Sequence, residues 1–376
     1  MDEMKHEPLP GDALPPLVAG LIGGPTQAKL MAVRGMAPLR ATELLTAIYQ
    51  LSFDADPVVQ AAAETAPAGM PDRILLGALG ESLPAQVLHF FAERTPATRR
   101  PVIEKILYNH ATADATFLHL AKILDEEGME IILQNEVRLL RLPAIVEAAY
   151  FNKQARMSSV SRALELCARN GIRLDGIPGF AETAQAILAE PYREAPAATD
   201  EVFAAVLAAP DAEGAQEAEP AAGAPAALSA TSKDGKKRGA VILRIEGMRI
   251  HEKIRLATIG NAACRRVLIR DSNRLVAMTA VRSPLITEDE IAQAAANRAV
   301  CEDVIRFIAN SRDFSKHYAV KQALVNNPKC PLSLSLRLLS FLRLGDLKAL
   351  GHSKNVPAAL SSAARELLNT RKKASG

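Results

Sequence analysis

The segment from Asn327 to Leu342 combines a polar turn with a dense leucine pattern, six leucines within its last eleven residues. The Asn-Pro pair at its start favours a turn, because proline cannot continue a preceding helix. Pro331 then suits the first turn of a new helix, where its missing N–H is not needed. So many leucines would cover more than one face of a helix, and a helix with a solvent-exposed face would not carry them. The pattern therefore predicts a helix buried between two neighbouring helices.

Variants of this pattern recur in both halves of the chain. Asn109 opens NHATADATFLHLAKIL, with leucines at the same offsets, and Asn261 opens NAACRRVLIRDS. A longer segment from Arg99 matches one from Arg141 at an offset of 42 to 43 residues, which pairs Asn109 with Asn152. Periods of this size are typical of two-helix repeats of the HEAT and armadillo kind.

Short motifs favour the same class of fold. LSFDADPVVQAAAETAP, from Leu51, resembles the HEAT-repeat signature, in which acidic residues precede a proline, here Pro57, and paired alanines follow. NPKCP and KNVP resemble turns of the leucine-rich-repeat-variant family, although the cysteine cluster of that family's iron–sulfur module is absent from this sequence. The two halves, together with RDSNRLVAMTAVRSP, also resemble helical-repeat proteins of myxobacteria-type bacteria. These resemblances imply an α-solenoid fold and no activity.

We therefore predict an all-α protein with two right-handed α-solenoid modules of HEAT-like helical repeats. The first module spans residues 29–190, and the second, which is basic, spans residues 240–370. Residues 191–239 are rich in Ala, Pro, Glu and Gly and end in KDGKKRG, which indicates a disordered acidic linker with a basic end. We expect residues 1–28 to be a flexible N-terminal segment and residues 371–376 a basic tail.

Several helix starts can be predicted locally. Asp56 suits the cap of a helix that begins at Pro57, and Thr287 followed by Glu290 has the pattern of a capping box. Prolines ahead of apolar helical patterns should lie in or just before a first helical turn. This prediction covers Pro57, Pro143, Pro284, Pro331 and Pro357.

The net charge of +3 conceals a strong division along the chain. Residues 233–376 contain 27 Lys and Arg against 12 Asp and Glu, a net charge of +15. Residues 1–232 hold the other 18 basic and 30 acidic residues, a net charge of −12. The positive part therefore suits nucleic acid, an acidic protein segment or the chain's own acidic half as a partner.

The candidate binding residues are five arginines within eighteen residues: Arg265, Arg266, Arg270, Arg274 and Arg282. The turns of successive repeats form a ridge, and a basic ridge suits phosphate or an acidic protein segment. The alternative is a solvated face with local ion pairs to Asp271 and Asp303.

No motif in the sequence indicates catalysis. It contains no Walker loop, no dinucleotide-binding glycine pattern and no zincin motif. The seven histidines are scattered, and His110 and His119, the closest helical pair, are nine residues apart. The four cysteines form no CxxC pair, and Cys264 and Cys330 fall at equivalent positions that suit small buried residues. We therefore expect neither a cofactor nor a metal site.

The sequence favours a non-catalytic scaffold that binds protein partners over the long surfaces of helical repeats. Nucleic-acid binding by the basic second module is the alternative, and enzyme activity ranks third, since an aromatic content of 4% leaves little for base-stacking pockets. The N-terminus lacks a signal-peptide pattern, and the apolar run Leu17 to Ile22 is too short to span a bilayer. We expect a cytoplasmic protein without membrane insertion.

Overall fold

A computed structural model describes residues 4–189, 197–208, 245, 247–353 and 355–374. Every regular element in these residues is a helix and none is a strand, so the all-α prediction is confirmed. The chain divides into two compact units, unit 1 (Met1–Ile177) and unit 2 (Pro178–Gly376). No helix among the described residues is long and apolar enough to cross a lipid bilayer.

Unit 1 is built of short helices joined by tight turns. Its described helices are α1 (Pro16–Ile22), α2 (Thr26–Val33), α3 (Ala41–Leu51), α4 (Pro57–Gly69), α5 (Asp72–Leu79), α6 (Ala85–Arg94), α7 (Arg100–Tyr108), α8 (Asp114–Ile123), α9 (Glu126–Leu133), α10 (Glu136–Arg141), α11 (Ala144–Phe151) and α12 (Met157–Arg169). A 3₁₀ turn, Gly11–Ala13, precedes α1.

Unit 2 continues in the same way. Its described helices are α13 (Phe180–Ala189), α14 (Ala197–Ala208), α15 (Ile250–Ile259), α16 (Ala262–Leu268), α17 (Arg274–Val281), α18 (Glu288–Ala296), α19 (Glu302–Asn310), α20 (Tyr318–Asn326), α21 (Leu332–Leu339), α22 (Leu344–His352) and α23 (Ala358–Ala374). Cys264 in α16 and Cys330 before α21 are buried, as their equivalent positions predicted.

In both units the helices pack mainly against near neighbours along the chain. In unit 1, α3, α5, α7, α9 and α12 pack in succession, and so do α4, α6, α8 and α11. In unit 2 the corresponding contacts join α15 to α17, α17 to α19, α16 to α18 and α18 to α20. Large side chains such as Ile48, Leu79 and Phe90 are fully buried between these helices. Burial of each such side chain stabilises the fold by about 1.5–3 kcal/mol.

Four of the five prolines predicted to begin helices do so. Pro57 is the first residue of α4, and its neighbour Asp56 caps the helix by accepting a backbone hydrogen bond. Pro143, Pro331 and Pro357 directly precede α11, α21 and α23. A fixed φ and a missing N–H suit all four positions.

The prediction for Pro284 is wrong, because this proline lies in a turn after α17, four residues before α18. Helix α18 instead starts from Thr287, whose side chain accepts from the N–H of Glu290. The Glu290 carboxylate in turn accepts from the N–H of Thr287 at 2.8 Å. The predicted capping box is therefore confirmed, and it determines the helix start without the proline.

Three buried asparagines that the sequence pattern paired, Asn109, Asn152 and Asn327, make the same contacts. Each follows a helix, and its amide nitrogen donates to two backbone carbonyls 28 to 32 residues earlier. The acceptors are Leu79 and Glu81 for Asn109, Ala121 and Leu124 for Asn152, and Ala295 and Asn297 for Asn327. Each side-chain oxygen accepts from the N–H two residues ahead. These asparagine clamps join the C-terminal ends of successively packed helices.

Residues 4–28, predicted to be flexible, pack on unit 1. Helices α1 and α2 lie against α3. The Tyr49 hydroxyl donates to the carbonyl of Glu7 at 2.7 Å, and the N–H of Leu9 donates to Gln50 at 2.9 Å. The prolines that suggested flexibility act instead as the residues directly before α1 and α2, where proline favours a helix start.

The predicted linker is described only in part. Helix α14 lies within it. The rest of the linker, with its basic end, lies outside the described residues, as does the end of the basic tail. Helix α13, which the prediction assigned to the first module, packs against α15 in unit 2.

Candidate functional site

The five predicted arginines do not share one surface. Arg265 is buried, Arg274 and Arg282 are exposed, and Arg266 and Arg270 are half-buried. Arg265 therefore cannot belong to an exposed basic ridge, since its charge does not face solvent. Binding of phosphate or of an acidic segment by the other four stays a prediction.

Arg265 joins α16 to α18 through a bidentate ion pair with Glu290. Its Nε and Nη2 each donate to a Glu290 oxygen at 3.1 Å, and its Nη1 donates to the carbonyl of Gly260 at 2.7 Å. The two side chains are 5% and 1% exposed. One Glu290 oxygen also accepts from the N–H and the hydroxyl of Thr287. Because these polar atoms form hydrogen bonds with one another and with neighbouring groups inside unit 2, the pair is structural.

The two exposed arginines make local contacts. Arg274 pairs with Asp303 at 2.8 Å, as the alternative interpretation of the arginines predicted. The guanidinium of Arg282 lies 5.0 Å from the centre of the Phe307 ring, within reach of a cation–π contact. Both side chains are thus engaged within unit 2.

A second polar cluster, in unit 1, joins segments that are distant in sequence. His89 and Glu93 lie one turn apart on α6, and His6 comes from the extended segment before α1. Nε2 of His6 lies 2.6 Å from Oε2 of Glu93, and Nε2 of His89 lies 3.2 Å from Oε1. The two imidazole rings stack with centroids 5.3 Å apart. We refer to His6, His89 and Glu93 as the histidine–glutamate cluster.

Helix α8 supports this cluster behind His89. Nδ1 of His89 lies 3.0 Å from Oγ1 of the buried Thr116, which fixes the ring plane and directs Nε2 toward the carboxylate. The ring of His119 lies edge-on to that of His89 at 6.3 Å, and burial lowers the pKa of His119 below its ordinary value. Nδ1 of His6 and Nε2 of His119 are buried and have no hydrogen-bond partner among the described residues.

Glu93 carries a negative charge at neutral pH. Burial raises its pKa, but hydrogen bonds from His89 and His6 outweigh burial and lower the pKa to about 2. Nη1 of Arg94 also donates to Oε2 of Glu93 at 3.0 Å, and the same guanidinium pairs with Glu64. One guanidinium therefore lies between two carboxylates, which leaves net negative charge beside the two imidazoles. Two imidazoles and a carboxylate form a donor set that suits divalent transition metals.

The sequence prediction did not anticipate this cluster, since it expected no metal site. The spacing of His89 and Glu93, four residues apart on one helix face, was the available signal. His6 lies 87 residues from Glu93 along the chain, and packing of the N-terminal segment brings the two together. No local pattern predicts such a contact.

An apolar groove in unit 1 offers a different kind of surface. Its lining residues come from α7 to α10 and are Leu107, Tyr108, Phe117, Ile131, Gln134, Asn135, Glu136 and Val137. Tyr108 is 71% exposed and Val137 is 75% exposed, which is unusual for large apolar side chains that share one groove. The guanidinium of Arg138 lies 3.8 Å from the centre of the ring of Phe117, one of the lining residues.

Comparisons of the chain with protein-family models, with curated proteins and with solved structures found no match. The relationship to HEAT-like and leucine-rich-repeat-variant proteins therefore stays a prediction. The function is inferred from the geometry of the chain itself.

Proposed function

We propose that the protein is a non-catalytic interaction scaffold made of two α-solenoid modules, and that the apolar groove of unit 1 binds a segment of a protein partner. The asparagine clamps are the main support. They recur at positions that the sequence pattern paired, in both units, and they join helices that pack in succession. Helices held in this way form extended, rigid surfaces, which are the usual binding surfaces of helical-repeat proteins.

The clamps favour rigidity for a specific reason. The last carbonyls of a helix have no partner within it, and each clamp satisfies one such carbonyl and a second one just beyond the same helix. Because the acceptors are backbone atoms, the clamp fixes the relative position of two helices and leaves the surface side chains unconstrained. Surface residues can then vary with the partner.

The groove supplies the anchor for a partner. Tyr108, the last residue of α7, and Val137, near the start of α10, both line the groove and are both exposed, so we expect an apolar side chain of a partner segment to contact them. Aromatic side chains in such pockets contribute most of the affinity of many interfaces. We expect a partner segment with an apolar anchor, because Tyr108 and Val137 leave large apolar side chains exposed in the groove.

The test uses the immobilised full chain and extract of the source cells, with quantitative mass spectrometry of retained proteins. Tyr108→Ser combined with Val137→Ser should reduce a specific partner at least about tenfold, since loss of about 1.4 kcal/mol of binding energy is tenfold in affinity. The control combines Leu17→Ser with Val58→Ser, two exposed residues of unit 1 outside the groove. If the groove variant and the control retain the same proteins in equal amounts, the groove is not the binding site.

Nucleic-acid binding is the competing function. The net charge of +15 in residues 233–376 favours it, but the burial of Arg265 and the local contacts of Arg274 and Arg282 do not. Binding of the full chain to random duplex DNA over a salt series tests it, since phosphate contacts give affinity that falls steeply with salt. Tight, salt-dependent binding would replace the scaffold proposal for unit 2.

A further inference from the structure

We propose that the histidine–glutamate cluster binds one divalent transition-metal ion of the Zn²⁺ type, and that this ion fastens the N-terminal segment to α6. The ligands are Nε2 of His6, Nε2 of His89 and one carboxylate oxygen of Glu93. A water molecule would complete the coordination, as is usual for three-ligand zinc sites. The proposal is independent of the scaffold function.

The spacing of the donor atoms suits such an ion. One donor atom from each of His6, His89 and Glu93 can be chosen so that all lie within 4.8 Å of one another. Zinc bonds of about 2.0–2.2 Å in tetrahedral geometry place donors about 3.3 Å apart. The distance from Nε2 of His89 to Oε1 of Glu93, 3.2 Å, already matches this separation. Nε2 of His6 contacts the other oxygen, Oε2, at 2.6 Å, so the His6 ring has to turn toward Oε1 to share the ion.

The hydrogen bond behind His89 allows coordination without a net loss of protons. A neutral His89 that donates from Nε2 to Glu93 accepts at Nδ1 from the Thr116 hydroxyl. When Nε2 binds the ion, the proton resides on Nδ1, and the same hydroxyl turns to accept it. Thr116 therefore supports both tautomers, as partners of metal-bound histidines do. No second hydrogen bond among the described residues restrains the His6 ring, so it can adopt the required tautomer as well.

The alternative is a histidine–glutamate–histidine bridge without metal affinity. Arg94 favours this alternative, since its guanidinium already contacts Oε2 of Glu93. Oε1, which faces His89, is not among the oxygens that Arg94 contacts and is the better ligand for the ion. The Glu64 carboxylate also offsets the guanidinium charge. A direct measurement of metal binding separates the two possibilities.

The experiment titrates the chelator-treated full chain with Co²⁺, a coloured substitute for Zn²⁺, and follows the visible absorption. The wild-type chain should bind one ion per chain, and Zn²⁺ should displace it. His6→Ala and Glu93→Gln should each weaken binding at least tenfold. His110→Ala, which replaces an exposed histidine outside the cluster, should bind as the wild type does. Thr116→Val should weaken binding about tenfold, as loss of a partner behind a ligand does.

His6→Ala provides the decisive comparison, because His6 precedes the first helix and its substitution should leave the helices of unit 1 in place. Far-UV circular dichroism should confirm this. Zn²⁺ should slow proteolysis of the N-terminal segment in the wild-type chain and not in His6→Ala. If the wild-type chain binds no Co²⁺, or binds it no more tightly than His6→Ala, the proposal is overturned. The proposal would also be overturned if His110→Ala lost as much affinity for Co²⁺ as His6→Ala does.

Discussion

The ion pair Arg265–Glu290 in unit 2 and the histidine–glutamate cluster in unit 1 differ in how fully their polar atoms are used. The arginine and glutamate side chains are 5% and 1% exposed, and their donors and acceptors face one another, Gly260 and Thr287. His6 and Glu93 are 20% and 29% exposed, and one ring nitrogen of His6 has no hydrogen-bond partner among the described residues. A buried ion pair whose donors and acceptors all have partners serves the fold. A partly exposed cluster with a ring nitrogen that lacks a partner can still bind a ligand.

The largest effect is expected at the saturated pair. Glu290→Gln keeps the capping box with Thr287, since glutamine can take the same place, but it leaves the charge of Arg265 buried without an ionic partner. The free energy of unfolding should fall by about 3–5 kcal/mol. Urea unfolding followed by circular dichroism measures the loss.

A second variant separates the charge from the packing. Arg265→Met added to Glu290→Gln removes the unpaired buried charge and should restore more than half of the lost stability. If Glu290→Gln alone lowers the free energy of unfolding by less than about 1 kcal/mol, water screens the Arg265–Glu290 pair. The pair and the histidine–glutamate cluster would then not differ in the way described above.

The next effect is expected at an asparagine clamp. Asn327→Ala removes two hydrogen bonds to carbonyls and one from the N–H of Lys329, so stability should fall by about 1–3 kcal/mol. Its neighbour Asn326 is exposed, and its side chain donates to the carbonyl of Gln322 in its own helix. Asn326→Ala is therefore the matched control and should change stability by less than about 0.5 kcal/mol. Equal losses of stability in Asn327→Ala and Asn326→Ala would show that the clamp contributes nothing specific to stability.

A smaller effect is expected at Glu93 in metal-free protein. Glu93→Gln loses the charge but keeps an oxygen that can accept from one histidine, and the site is partly exposed. Stability should fall by about 0.5–1.5 kcal/mol. A loss as large as that of Glu290→Gln would make the cluster a structural element like the Arg265 pair, and the comparison would fail.

The smallest effect is expected at the surface pair Arg274–Asp303. Its arginine side chain is 72% exposed, so water and salt screen the attraction. Arg274→Ala should change the free energy of unfolding by less than about 1 kcal/mol. A larger change, measured under the same urea conditions, would show that exposure does not explain the ranking of these four sites.

Local physical rules determined what could be predicted from the sequence. The all-α class, the cap at Asp56, and the capping box of Thr287 and Glu290 follow from periodicity and from contacts within one turn. The pairing of Asn109 with Asn152 and Asn327 was also visible, because equivalent positions carry equivalent residues. Pro284 failed as a helix start since a competing cap lay three residues further on.

Only the tertiary structure decided which polar side chains meet and which are buried. Arg265 appears in the sequence as one of five arginines, and its burial depends on how α16 packs against α18. His6 reaches Glu93 because the N-terminal segment packs on unit 1, a contact across 87 residues that no periodicity encodes. Capping and periodicity depend on residues that are close together in the sequence. Burial and ion pairing depend on how helices that are distant in the sequence pack against one another.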